Sequence, residues 1–140
     1  MFSAFLVCCL SVAPVQDKPG TQPKADPIVA PVKEGYYRCV SALPGGKQAV
    51  SIVSVRKARD VYIVIQVQKD GSSIAGVGFV KESNLVIGWA AGEARGVTVY
   101  NIEAKQLRGE YTVLPGDGRK YSEVCTFLTD FGSEDEPKKE

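Results

Sequence analysis

Two cysteines, Cys39 and Cys125, bracket a stretch in which β-like segments alternate with short polar turns. From Gly35 onward, apolar or alternating runs recur at intervals of about ten to thirteen residues, the spacing of an all-β barrel or sandwich. Roughly eight strands are predicted, at Gly35–Ala42, Gln48–Val55, Asp60–Gln68, Ser73–Lys81, Asn84–Ala90, Gly96–Glu103, Gln106–Leu114 and Lys120–Leu128. The connections are too short for crossover helices, so neighbours in sequence must pair antiparallel. In an open sheet of this size the first and last strands would lie roughly 34 Å apart, at about 4.8 Å per step. Bridged Cβ atoms sit only about 3.8 Å apart, so a disulfide between Cys39 and Cys125 requires the first strand to meet the last. The expected fold is an antiparallel up-and-down meander closed into a small barrel; a β-sandwich is the alternative that also joins the two strands. Two unrelated buried thiols are the competing reading. The bridge would close a loop of more than about 80 residues and contribute about 4 kcal/mol by constraining the unfolded chain.

Alternation predicts which side of each strand faces inward. In DVYIVIQVQ, Val61, Ile63, Ile65 and Val67 share one face, expected to be the buried one, and Tyr62, Gln66 and Gln68 share the other. The apolar parity changes between Ile52 and Val53, which predicts a bulge or bend there. Gly76 and Gly78 leave one face bare, marking a kink or the close approach of another backbone or ring. Asp70-Gly71 predicts a tight hairpin of mirror-image type.

The ends differ from this body. Residues 2–12 are nearly continuously apolar and run into Pro-spaced polar sequence, the pattern of a signal peptide, assigned to residues 1–16. The run is too short to span a bilayer as a helix, which takes about 20 residues, so no membrane span is expected. Lipid attachment through Cys8 or Cys9 is set aside because Val7 and Cys8 stand where a small residue should precede the anchor. Prolines at 19, 23, 27 and 31 make residues 17–34 an extended, disordered tether. Residues 35–128 then form the barrel, and residues 129–140 a solvated charged tail. Export to the periplasm, the cell envelope or the outside follows from the signal segment and an even cysteine count.

Seventeen basic residues against 16 acidic ones, scattered through turns and strand faces, give no field or basic face for nucleic acid. The chain has no histidine, which excludes Ser-His and Cys-His nucleophile pairs and histidine-containing zinc sites. No catalytic residue, metal or cofactor is predicted, and an enzyme is not expected. A carboxylate-dependent hydrolase is the third reading. Most acids fall in turns, but Glu123 shares the parity of Cys125 and so points inward with Tyr121 and Phe127, across the seam from Tyr37. An inward carboxylate needs a partner or a proton, and Arg38 has the wrong parity to serve. The candidate ligand site is therefore Tyr37, Trp89, Tyr111, Tyr121 and Glu123, lining a mouth or small cavity for an apolar or aromatic ligand whose polar end Glu123 fixes. Side chains that simply fill the barrel are the plainer alternative. A second class of function is macromolecular, with the tethered barrel presenting Tyr62, Arg108, Glu110 and Thr112 to an extracellular protein or polymer.

The order GVGFV, NLVIGW, VTVYNI, LRGEY and GDGRKYSEV over residues 76–127 resembles small exported bacterial β-meander proteins, some labelled fibronectin-binding, and in outline calycin-type barrels. The chain departs from that pattern at Tyr111, where Trp is common, and at Tyr121-Ser122 before Glu123, where Gly is usual. The resemblance implies an exported β-barrel of structural or binding role and names no ligand.

Overall fold

A computed structural model describes residues 30–132. The signal segment, residues 17–29 of the tether and residues 133–140 of the tail lie outside them. Eight strands follow in chain order: β1 (Gly35–Ala42), β2 (Gln48–Ala58), β3 (Val61–Gln68), β4 (Ser73–Lys81), β5 (Asn84–Ala91), β6 (Ala94–Ile102), β7 (Gln106–Leu114) and β8 (Tyr121–Thr129). Each pairs antiparallel with its sequence neighbours, and β1 pairs with β8, so the sheet closes into the expected up-and-down barrel. Cys39 stands directly opposite Cys125 at this seam and is bonded to it, with 86 residues of separation. Closure leaves no sheet edge between β1 and β8 to template pairing with another chain.

Strand parity is where structure and expectation part. On β3 the inward residues are Tyr62, Val64 and Gln66, while Val61, Ile63, Ile65 and Val67 face outward at 36% to 45% exposure. The predicted inner face of this strand is thus its outer face, and Tyr62, expected at the surface, is buried. Two features select the observed side. Tyr62 and Val64 pair with Gly78 and Gly76, which leave lumen space for them, and Gln66 finds buried hydrogen-bond partners that it would lack outside. The glycines also admit the next strand. A Cβ at Gly76 would come within 2.8 Å of Ile87 Cγ2, and one at Gly78 within 2.7 Å of the Val86 carbonyl. The close-approach reading of this pair holds.

The bend expected at Ile52-Val53 is absent. β2 keeps register with both neighbours, Val53 and Val55 pointing in and Val50 and Ile52 pointing out. The parity change reflects a strand that is apolar on both faces. A register shift occurs instead between Tyr36 and Tyr37, against β8. At Asp70-Gly71 only Gly71 takes positive φ, 84°. The Asp70 carboxylate accepts hydrogen bonds from the Ser72 N–H (2.9 Å) and hydroxyl (2.6 Å). That local capture organises residues 69–72 as a wider loop closed by Gln68 N–H donating to the Ser72 carbonyl, in place of the mirror-image turn.

The two ends of the lumen are built differently. Toward the β1 start, Val55, Leu85 and Leu107 are buried and Tyr37 meets the edge of Phe127 at 5.3 Å. Residues 30–34, placed in the tether by sequence, pack here: Val32 is buried, the Lys33 carbonyl accepts the Tyr37 hydroxyl at 2.7 Å, and Glu34 accepts the Lys57 N–H at 2.9 Å. The chain beyond β8 adds Phe131, edge-on to Tyr36 at 5.0 Å and beneath the Arg56 guanidinium at 4.9 Å. Both flanks of the barrel domain therefore extend past the boundaries drawn from composition. The opposite end remains open and polar.

A candidate ligand site at the open end of the barrel

Beyond the disulfide, the inward positions of β1, β2, β3, β6 and β8 change from apolar to polar. Ser41, Ser51, Thr98 and Glu123 are all buried. Period-two alternation produces this layer, since Ser41 lies two residues beyond Cys39 and Glu123 two before Cys125. Glu123 is 4% exposed, and three donors converge on its carboxylate. The Ser41 hydroxyl donates to Oε1 at 2.7 Å, the Gln66 amide donates to the same oxygen at 3.3 Å, and the Tyr100 hydroxyl donates to Oε2 at 2.5 Å. Gln66 also donates to Ser51 Oγ at 2.8 Å. Among the described residues no buried side-chain polar atom is left without a partner, as a polar layer inside a barrel requires.

The electrostatics follow from burial. Tyr100 holds its proton well above the usual tyrosine range, first because its phenol is desolvated, then because the Glu123 charge and hydrogen bond oppose a phenolate beside it. Tyr111 is shifted the same way by burial, then by Glu123 and Tyr121. Both phenols therefore serve as donors, Tyr100 to Glu123 and Tyr111 to the Ala42 carbonyl at 2.6 Å.

A cavity of about 160 Å³ lies over this layer, lined by Ser41, Leu43, Ala49, Gln66, Gln68, Ile74, Trp89, Thr98, Tyr111, Val113 and Glu123. Trp89 forms one wall. Its indole N–H donates to Thr98 Oγ1 at 3.1 Å, and the ring lies over Gly96, where any Cβ would collide with it. The glycine is thus required by the close approach of the Thr112 carbonyl and of the indole together, not by a turn.

Of the five residues predicted from sequence, Trp89, Tyr111 and Glu123 meet at this cavity. Tyr37 does not, because its position near the start of β1 puts it at the plugged end, bonded to Lys33. Tyr121 stands at the rim. Its ring centroid is 5.6 Å from that of Tyr111, but its hydroxyl donates outward to Asp117 Oδ2 at 2.8 Å. The sequence-based set lacked Ser41, Gln66, Thr98 and Tyr100. Ser41 could have been placed by its parity with Cys39; Gln66 could not, once β3 was read with the wrong face inward.

The donor atoms of Cys39, Cys125 and Glu123 lie within 4.8 Å of one another. Both sulfurs are consumed in the disulfide, and a divalent metal needs thiolates. This cluster does not fit a metal.

No family model matches the chain, and no curated protein matches it. Among solved structures, a redesigned β-barrel is similar with a TM-score of 0.58 and 13% identity, covering 69% of this chain and 91% of that one. The likeness is one of fold. It agrees with the closed barrel and carries nothing about a ligand.

Proposed function

We propose that this is an exported, non-enzymatic binding domain, which takes a small ligand into the open end of the barrel. The observation that carries the reading is a buried carboxylate at the edge of an aromatic-walled cavity. A site of about 160 Å³ is close to the roughly 150 Å³ in which an apolar cavity holds a benzene ring, and well below the 300 Å³ or more of drug-sized pockets. The ligand class is therefore a single ring, or a group of that size, with a hydrogen-bond-donating head such as a phenol or a benzylamine. Trp89 offers it an aromatic wall, and Glu123 retains acceptor capacity beyond its three donors. Export is supported by the apolar N-terminal run and by the disulfide.

A glycosidase-type hydrolase would need a second carboxylate across a substrate. Among the residues that line the cavity, Glu123 is the one carboxylate, and both its oxygens are held by donors. This favours binding over hydrolysis.

The test is a thermal-shift screen of single-ring phenols, benzylamines and ring-matched compounds without a donor. Donor-bearing compounds should raise Tm, by the mass-action stabilisation a bound ligand gives, and Glu123→Gln should weaken the response. No stabilisation across the panel, with Glu123→Gln responding as the wild type does, would reduce the cavity to a packing feature. Turnover of a glycoside abolished by Glu123→Ala would replace binding with hydrolysis.

A further inference from the structure

The outward side of β2, β3 and β4 is unusually apolar for a barrel that already has an apolar core inside. Ile52, Ile63, Ile65, Val67, Val77 and Phe79 are each between 42% and 56% exposed. They form one patch, since Ile52 stands opposite Val67 and Ile63 opposite Val77 in the strand registers. Taking roughly 160–220 Å² for each residue when fully exposed, these six present about 500 Å² of mostly apolar surface, at the upper end of what a typical monomer leaves to solvent. Two such patches brought together would bury about 1,000 Å², which is the lower bound for a specific interface.

We propose that this face is a homodimer interface, with a second copy of the chain as its occupant. The surrounding charge supports a self-complementary contact. Each turn bordering the patch carries one basic and one acidic residue: Arg59 with Asp60, Lys69 with Asp70, and Lys81 with Glu82. An isologous pair related by a twofold axis can set the two signs against each other. An anionic membrane surface would instead select a basic rim. A bilayer-spanning barrel is apolar around its outward face, whereas β7 turns Arg108 and Glu110 outward and β1 turns Arg38 outward beside Ile52. The apolar surface runs on from Val77 and Phe79 across β5 to Val97 and Val99 of β6 and gives way to charge at β7 and β1, so a partner can seat on the β2 to β6 side without meeting the charged one. The dimer would leave the open end of the lumen accessible, so this inference stands apart from the ligand proposal.

Sedimentation velocity on the complete chain, from about 1 to 100 µM, tests it, because an interface of this size falls within the micromolar affinity range. The wild type should shift from monomer to dimer across that series. Ile65→Lys should raise the dissociation constant at least tenfold, and Ile65→Thr, which keeps a β-branched side chain, should raise it several-fold. If Ile65→Lys fails to fold, Ile65→Thr and Val77→Thr carry the test, with the disulfide and near-ultraviolet circular dichroism reporting the fold. Three results would overturn the proposal. They are a wild type monomeric throughout, a dimer that the face variants leave intact, or a monomer that sediments with phosphatidylglycerol vesicles in an Ile65-dependent way.

Discussion

The two ends of the lumen are made from the same strands and solve opposite problems. At the plugged end, Val55, Leu85, Leu107 and Val32 exclude water, and Tyr37 finds its hydrogen bond in the chain that enters there. At the open end the inward positions are Ser41, Gln66, Thr98 and Glu123, which must satisfy one another around a cavity. Apolar packing and polar pairing are thus divided along the barrel axis, with the disulfide and Tyr100 between them. The Tyr100 hydroxyl lies 3.6 Å from Cys125 Sγ and also reaches Glu123.

The largest expected effect lies at the seam. Replacing both Cys39 and Cys125 by Ala should lower unfolding free energy by about 4 kcal/mol, since the bridge closes most of the domain into one loop, measured as the shift in the urea midpoint. Next comes the plugged end, where Leu85→Ala removes a fully buried side chain and should cost about 3 kcal/mol. Val113→Ala, at the open rim, should cost less than about 1 kcal/mol. Equal losses at the two positions would erase the distinction between the ends.

The closed meander was legible in the sequence, because turns, strand spacing and the cysteine pair all point to it, whereas the plugging of one end was not. At the open end, Glu123 was legible by parity counted from a cysteine, and Trp89 and Tyr111 as aromatic residues of the meander. Gln66 was hidden for a physical reason. β3 is apolar at Val61, Ile63, Ile65 and Val67, and alternation alone assigns such a face to the core, whereas the structure presents it outward. A strand with two sticky faces needs its partners to decide, and Gly76 and Gly78 are on the neighbouring strand. Tyr37 was drawn into the site because parity reports the face of a sheet and not the height along the barrel. Val32 and Lys33 escaped notice because a Pro-spaced composition does not reveal that its last residues dock.

A smaller effect is expected from the polar layer. Glu123→Ala orphans the donors on Ser41, Gln66 and Tyr100, and should cost about 2 kcal/mol by the penalty for unpaired buried polar groups. Glu123→Gln should cost less, since the Ser41 and Tyr100 hydroxyls can turn to accept from an amide. Smaller still, and gradual, is the alkaline response. Burial pushes Tyr37 up to about 12 and raises Tyr100 and Tyr111 as well. The native state thus binds these protons more tightly than the unfolded chain does, so their contribution is intact below the ordinary tyrosine value of about 10 and is lost as pH rises from there toward about 12. Urea midpoints should be flat up to about pH 9.5 and fall above it, while phenolate absorbance shows Tyr37 ionising late.

The most direct measurement uses the lone tryptophan of the chain, which forms a wall of the cavity. Trp89 fluorescence, followed while a benzylamine or phenol is added and corrected for the compound's own absorbance, reports occupancy of the open end. The expected result is a saturable change in emission that Glu123→Gln shifts to higher ligand concentration and Leu85→Val leaves in place. Emission unchanged up to millimolar concentrations of every single-ring donor would contradict it.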